Sequence, residues 1–71
     1  MIEIDWSLLL LKLRRHHSTN EISKICHIDP IHLGRMSRLE IKQPKFDRGV
    51  ALLDLAYDTL PENEFKQLRI N

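Results

Sequence analysis

The 71-residue chain has one cysteine, two glycines and three prolines, and only 6% of its residues are aromatic. A lone cysteine excludes an intrachain disulfide framework and is typical of a reducing compartment. No uninterrupted apolar run is longer than that of Leu8–Leu11, which is far below the roughly 20 residues that a membrane span needs. No basic segment precedes an apolar one at the N-terminus, so we expect no secretory signal and a cytoplasmic protein.

Patterns of catalysis and metal binding are missing as well. The sequence has no carboxylate pair suited to acid–base work, no nucleophile beside a base and no glycine-rich phosphate loop. Its four histidines and one cysteine lack the paired spacing of a zinc site. We therefore expect no enzyme activity, no cofactor, no metal and no small-molecule ligand. Cys26 falls at an apolar helical position and is expected in the core.

The composition is that of a folded protein with an uneven charge. Hydrophobic residues make up 42% and charged residues 30% of the chain, which favours one globular domain over residues 1–71. Residues 12–48 hold nine basic and four acidic side chains, a balance of +5, whereas the remainder holds two and six, a balance of −4. A basic middle of this kind indicates a polyanionic partner.

Capping residues and apolar spacing predict an all-α fold of four to five helices. Asp5 is a good N-cap, Ser18 with Glu21 matches a capping box, and Asp29 followed by Pro30 is typical of a helix start. The predicted helices cover residues 6 to about 16, a short segment from 19 to the break at 27–29, 30 to about 39, and about 47–60, with a last short turn after the proline at 61.

The second and third helices each have a predicted inner face. Ile22, Ile25 and Cys26 supply that face in the second helix. Leu33 and Met36 supply it in the third, because residues three apart lie on one side of a helix. Both helices are therefore expected to pack against the rest of the domain.

The third helix also has an outward stripe. Ile31, Arg35 and Arg38 fall at offsets 0, 4 and 7, roughly opposite the inner face. An anchored helix that presents two arginines and an isoleucine is typical of a helix that reads a DNA groove. The alternative is an ordinary solvated face with a chance exposed isoleucine.

The stretch from Thr19 to Arg38, TNEISKICHIDPIHLGRMSR, resembles the helix-turn-helix of the phage Cro and repressor family, also called XRE or lambda-repressor-like. Apolar or small residues stand at the positions where that family has them: Ile22, Ser23, Cys26, Ile28, Leu33 and Met36. The family usually has glycine where this chain has His27, a position that favours a positive φ. The resemblance implies a compact lambda-repressor-like domain with its motif at about 19–38.

The resemblance also implies how DNA would be held. The second helix of the motif would lie in the major groove, and the N-terminus of the first would face phosphate. Ile31 would touch a thymine methyl and Arg35 a guanine edge, while Gly34 would allow close approach and the lysines would neutralise phosphates. The implied DNA-binding residues are Thr19, Asn20, Ile31, His32, Gly34, Arg35, Arg38, Lys42 and Lys45.

The C-terminal part, about 47–71, is expected to supply a dimerisation helix and tail, because its apolar set is wider than one-sided packing requires. The interface residues expected there are Leu52, Leu55, Ala56, Thr59, Phe65 and Leu68. Core burial in a monomer is the alternative for this surface.

Together these features predict a sequence-specific transcriptional regulator that binds double-stranded DNA. The resemblance implies a phage or prophage repressor, acting as a homodimer on a palindromic operator in the cytoplasm of a bacterial or phage-infected bacterial cell. The alternative is a small helical adaptor that docks on another protein and has no specific DNA site.

Overall fold

All regular elements of the computed structural model, which describes residues 3–41 and 43–70, are helices. This confirms the expected all-α class. The helices are α1 (Trp6–Leu13), α2 (Thr19–Cys26), α3 (Pro30–Ser37), α4 (Phe46–Thr59) and α5 (Glu62–Lys66). The fourth begins and ends one residue before its predicted bounds, and the first stops at the beginning of its predicted last turn.

The first three helices begin at the predicted capping residues. Asp5 accepts a hydrogen bond from a backbone N–H in the first turn of α1. Ser18 and Glu21 form a complete capping box at α2, with bonds of 3.1 and 2.9 Å. Asp29 caps α3 and Pro30 is its first residue. Proline suits this position, because an N–H group there would have no acceptor within the helix. Local sequence therefore sets where these helices start.

A residue with left-handed backbone follows each of the helices α2 and α3, namely His27 with φ 57° and Leu39 with φ 64°. In each case the N–H of the following residue donates to the carbonyl oxygen five residues earlier, at 3.1 Å after α2 and 2.9 Å after α3. This is the closure of a Schellman motif. The positive φ expected at His27 is confirmed. The helix α3 ends at Ser37, before the predicted Leu39, because the chain reverses there.

The core lies between α1, α2, α3 and α4. Leu33 and Met36 face inward as predicted, and Cys26 is buried, which raises the pKa of its thiol. Ile25 was expected to face inward but is 51% exposed, because Ile22 and Cys26 alone occupy the side of α2 that meets its neighbours. The buried apolar residues are Leu9, Leu10, Leu13, Ile22, Cys26, Ile28, Leu33, Met36, Leu52, Ala56, Leu60 and Leu68.

The core includes half of the residues predicted for a dimer interface. Leu52 and Ala56 are fully buried and Leu68 is 1% exposed, so these three assignments are wrong: a side chain enclosed by its own chain presents no surface to a second copy. Leu55 and Thr59 are half-buried. The wide apolar arc of α4 is explained by packing on several elements at once.

Phe65, the remaining predicted interface residue, is half-buried in α5 and packs edge-on against Tyr57, with ring centroids 5.5 Å apart. The two ends of the chain meet beside α5. Residues 3–5 run antiparallel to residues 68–70 and share backbone hydrogen bonds of 2.7 and 2.9 Å. Lys12, whose side chain is 8% exposed, bonds Glu64 at 3.4 Å. These contacts fasten α5 to α1.

Candidate nucleic-acid interface

The solvent-facing side of α3 carries the predicted stripe. Ile31 is 67% exposed, and Arg35 and Arg38 are exposed, while Leu33 and Met36 point the other way into the core. Because Ile31 is exposed in the first turn of α3, its side chain buries little apolar surface within this chain. The predicted outward position of Ile31, Arg35 and Arg38 is confirmed.

One side of this face meets the start of α4. The Arg48 Nη1 donates to the His32 Nε2 at 3.4 Å. The pKa of His32 lies below its ordinary value because of partial burial and then because of the charges of Arg48, Arg35 and Lys45, with Asp29 acting in the opposite sense. The imidazole is thus neutral at pH 7 and stands among three cations. We call His32, Arg35, Lys45 and Arg48 the α3–α4 junction.

The opposite side of the face meets α1 and α2. Arg14, Thr19 and Gly34 line one small cavity of about 20 Å³, which places the N-terminus of α2 and the end of α1 next to the middle of α3. A step of about 100° per residue puts Gly34 and His32 on opposite sides of α3, with the stripe between them. The predicted residue Asn20 is exposed in the first turn of α2.

Arg38 is less free than the sequence indicates. Its Nε donates to Glu40 Oε2 at 2.6 Å, and this bond, with the Arg38 charge, lowers the pKa of Glu40. The guanidinium also lies over Gly34, where an added Cβ would be 3.2 Å from Arg38 Nη1. Arg38 would have to leave Glu40 before it reached a phosphate. Arg35 is therefore the stronger candidate for a base contact.

Two cations of this surface, Arg14 and Arg48, were not among the predicted site residues. Both belong to the basic middle segment, but neither matches a motif, and only tertiary packing brings them beside α3. Lys45 is exposed at the N-cap position of α4. Lys42 lies outside the described residues.

The face as a whole combines apolar and guanidinium groups on a helix with cations on both sides of it. Such an arrangement attracts a polyanion and offers donors to base edges and phosphates. Among residues 3–41 and 43–70, no three His, Cys, Asp or Glu side chains are grouped to hold a metal ion. No helix in that part of the chain has the length and apolar character to cross a bilayer.

Comparison of the chain with protein-family models, with curated proteins and with solved structures finds no match.

Proposed function

We propose that this chain is a sequence-specific DNA-binding regulator of transcription in which α2 and α3 act as a helix-turn-helix. The observation that carries the proposal is the exposed Ile31/Arg35 face of α3, with Arg48 on one side and Arg14 on the other. A helix that enters the major groove meets phosphates on both of its sides, so cations are useful in both places.

The residues divide by chemistry. Arg35 has the length and paired donors to bond the O6 and N7 of guanine, and Ile31 offers a methyl contact to thymine. Arg14, Lys45 and Arg48 bind phosphates and set the position of the domain without reading sequence. Thr19 and Asn20 stand at the start of α2, where free backbone N–H groups and the helix dipole favour an anion.

A single copy is too small to read a long site. The described part measures 27 × 23 × 20 Å, which is less than the roughly 34 Å of one turn of B-DNA. Specific recognition therefore favours a homodimer on a palindromic operator with half-sites one turn apart. A cytoplasmic phage or prophage repressor is the role that this arrangement serves.

Fluorescence anisotropy with DNA selected from a random pool tests the proposal. The logarithm of the binding constant should fall linearly as the logarithm of the salt concentration rises, because phosphate contacts release counterions. Arg35→Ala should lower affinity for the selected site by roughly 5- to 150-fold, equivalent to about 1–3 kcal/mol, and should relax preference at one base pair. Its thermal midpoint should not change, since the side chain is exposed.

Arg48→Ala should behave differently from Arg35→Ala. It should weaken binding to all sequences alike and reduce the salt slope by about one unit. Lys24→Ala is the matched control, because it removes an exposed cation near the far end of α2 and should change neither quantity. A binding constant that is independent of both salt concentration and DNA sequence would refute the proposal.

The exposed aromatic residues Phe46 and Tyr57 give some support to the alternative, a helical adaptor that docks on another protein. For such an adaptor, the parent chain would not bind DNA in a salt-dependent manner. A variant lacking Arg35 and Arg38 would still capture its partner from a lysate.

A further inference from the structure

The helix α4 has a continuous apolar stripe on its solvent side. Phe46 is 87% exposed, Val50 is 40% exposed, Tyr57 is 72% exposed, and Leu53 between them is half-buried. These four residues, the α4 stripe, follow one another at intervals of 4, 3 and 4. Such spacing forms a single seam along a helix. Large apolar side chains exposed in one contiguous row indicate a surface that is covered in use.

A groove of about 800 Å³ runs along one edge of the stripe. Its wall includes Trp6 of α1 and Phe65 of α5. Gly49 also lines the groove, and it packs closely on Trp6, since an added Cβ would lie 3.2 Å from Trp6 Cη2. The stripe and the groove together form one apolar surface that accepts a ridge of side chains from a partner.

The seam pattern favours a helix as that partner. Alternating intervals of three and four residues are how two helices interlock side chains along their length. The α4 stripe of a second copy repeats the same spacing and is exposed in the same way, so it offers a surface with the matching pattern.

The charges beside the stripe also fit a second copy. On the groove side stand Lys45 and Lys66, and no carboxylate among the described residues lines the groove. The pair that Lys66 makes with Glu62 is exposed and therefore weak. The other edge is acidic: three exposed aspartates lie about 100° around the helix from the stripe, namely Asp47, Asp54 and Asp58. Base and acid on opposite edges make the surface complementary to itself.

We propose that two copies of this chain associate through the α4 stripe and its groove. The two-fold axis between them is parallel to α4, so the two α4 helices run in the same direction. This symmetry places the acidic edge of each copy against the lysine edge of the other, as an isologous contact requires. Of the interface residues expected from sequence, the surface keeps Phe65, whereas Leu52, Ala56 and Leu68 lie in the core. The proposal does not depend on DNA binding.

Sedimentation equilibrium of the full chain without DNA tests it. The mass should rise from 8.4 kDa towards twice that value as the concentration increases from about 10 µM to about 1 mM. Phe46→Glu with Tyr57→Glu should raise the dissociation constant at least about 100-fold. The helical circular dichroism at low concentration should match that of the parent monomer, and the thermal midpoint should fall only slightly, because Tyr57 loses its edge-on contact with Phe65.

Leu11→Glu with Ile25→Glu is the matched control, because these residues are 55% and 51% exposed and lie outside the groove. It should associate like the parent. Lys66→Glu should weaken the dimer about tenfold by setting acid against acid, and adding Asp54→Lys and Asp58→Lys should restore it.

A monomeric mass throughout the concentration range would overturn the inference. The α4 stripe would then be a surface for a different protein. Three other results would also overturn the inference. They are dimerisation of the Phe46→Glu/Tyr57→Glu variant, loss of association in the Leu11→Glu/Ile25→Glu control, and failure of the aspartate-to-lysine changes to restore the dimer of Lys66→Glu. A monomer that still binds a half-site leaves the proposed function intact. A dimer that binds no DNA refutes the proposed function and leaves this interface standing.

Discussion

Single residues decide how α2 passes into α3. His27 adopts φ 57° and ψ 45°, a conformation that glycine takes freely and an L side chain adopts at a cost of about 1 kcal/mol. The turn is held on both sides, by the backbone bond from Ile28 to Ser23 and by the Ser23 hydroxyl, which donates to the Ile28 carbonyl. These bonds hold His27 in this conformation.

His27→Gly is expected to stabilise the protein by about 0.5–1 kcal/mol, since it removes the side chain that opposes a positive φ. The urea midpoint should rise with an unchanged m-value. Lys24→Gly is the control, because a glycine inside α2 should lower stability by about 1 kcal/mol. A lower midpoint for His27→Gly would show that the imidazole contributes a contact that outweighs the strain.

Arg35 and Arg48 show which residue positions can be predicted from the sequence and which cannot. The outward position of Arg35 follows from helical spacing against Leu33 and Met36, and the structure places it so. The position of Arg48 beside His32 does not follow from spacing, because the two residues belong to different helices. Rules that connect residues three or four apart carry no information about that contact.

At the scale of elements, the junction of α3 with α4 would make the proposed DNA binding sensitive to pH. His32 is a neutral acceptor for Arg48 in the free protein, with its pKa lowered. A phosphate bound among these cations would raise that pKa, since a nearby negative charge favours imidazolium. Complex formation would then take up part of a proton.

DNA affinity is accordingly expected to rise as pH falls from about 8 to about 5.5, and to level off below the pKa of the free imidazole. Anisotropy titrations at constant salt measure this. His32→Gln should flatten the profile, whereas His16→Gln, at an exposed position after α1, should leave it unchanged. An unaltered profile in His32→Gln would place the titrating group elsewhere.

At the scale of the whole molecule, the ends of the chain close the domain. The short helix α5 has little stability of its own, since five residues are far below the length of an independent helix. It is held by Leu68 in the core, by the Lys12–Glu64 pair and by the pairing of residues 3–5 with 68–70. The C-terminal segment is thus part of the fold.

Leu68→Ala is expected to destabilise the monomer by about 2–5 kcal/mol, because it leaves a cavity in a closed core. Denaturation at micromolar concentration should show this loss and no dependence on protein concentration. Phe46→Ala is the control: its ring is 87% exposed, so monomer stability should barely change. A small effect of Leu68→Ala, growing with concentration, would restore Leu68 to the interface predicted from sequence.

The sequence alone determined the helix starts at Asp5, Ser18 and Asp29 and the two faces of α3, because capping and helical spacing act within a few residues. It did not determine which apolar residues of α4 and α5 form the core. Leu52 and Phe46 are both apolar residues of one helix, yet the first is enclosed and the second is exposed. Only the tertiary structure separates them, because burial depends on which distant elements cover each side of the helix.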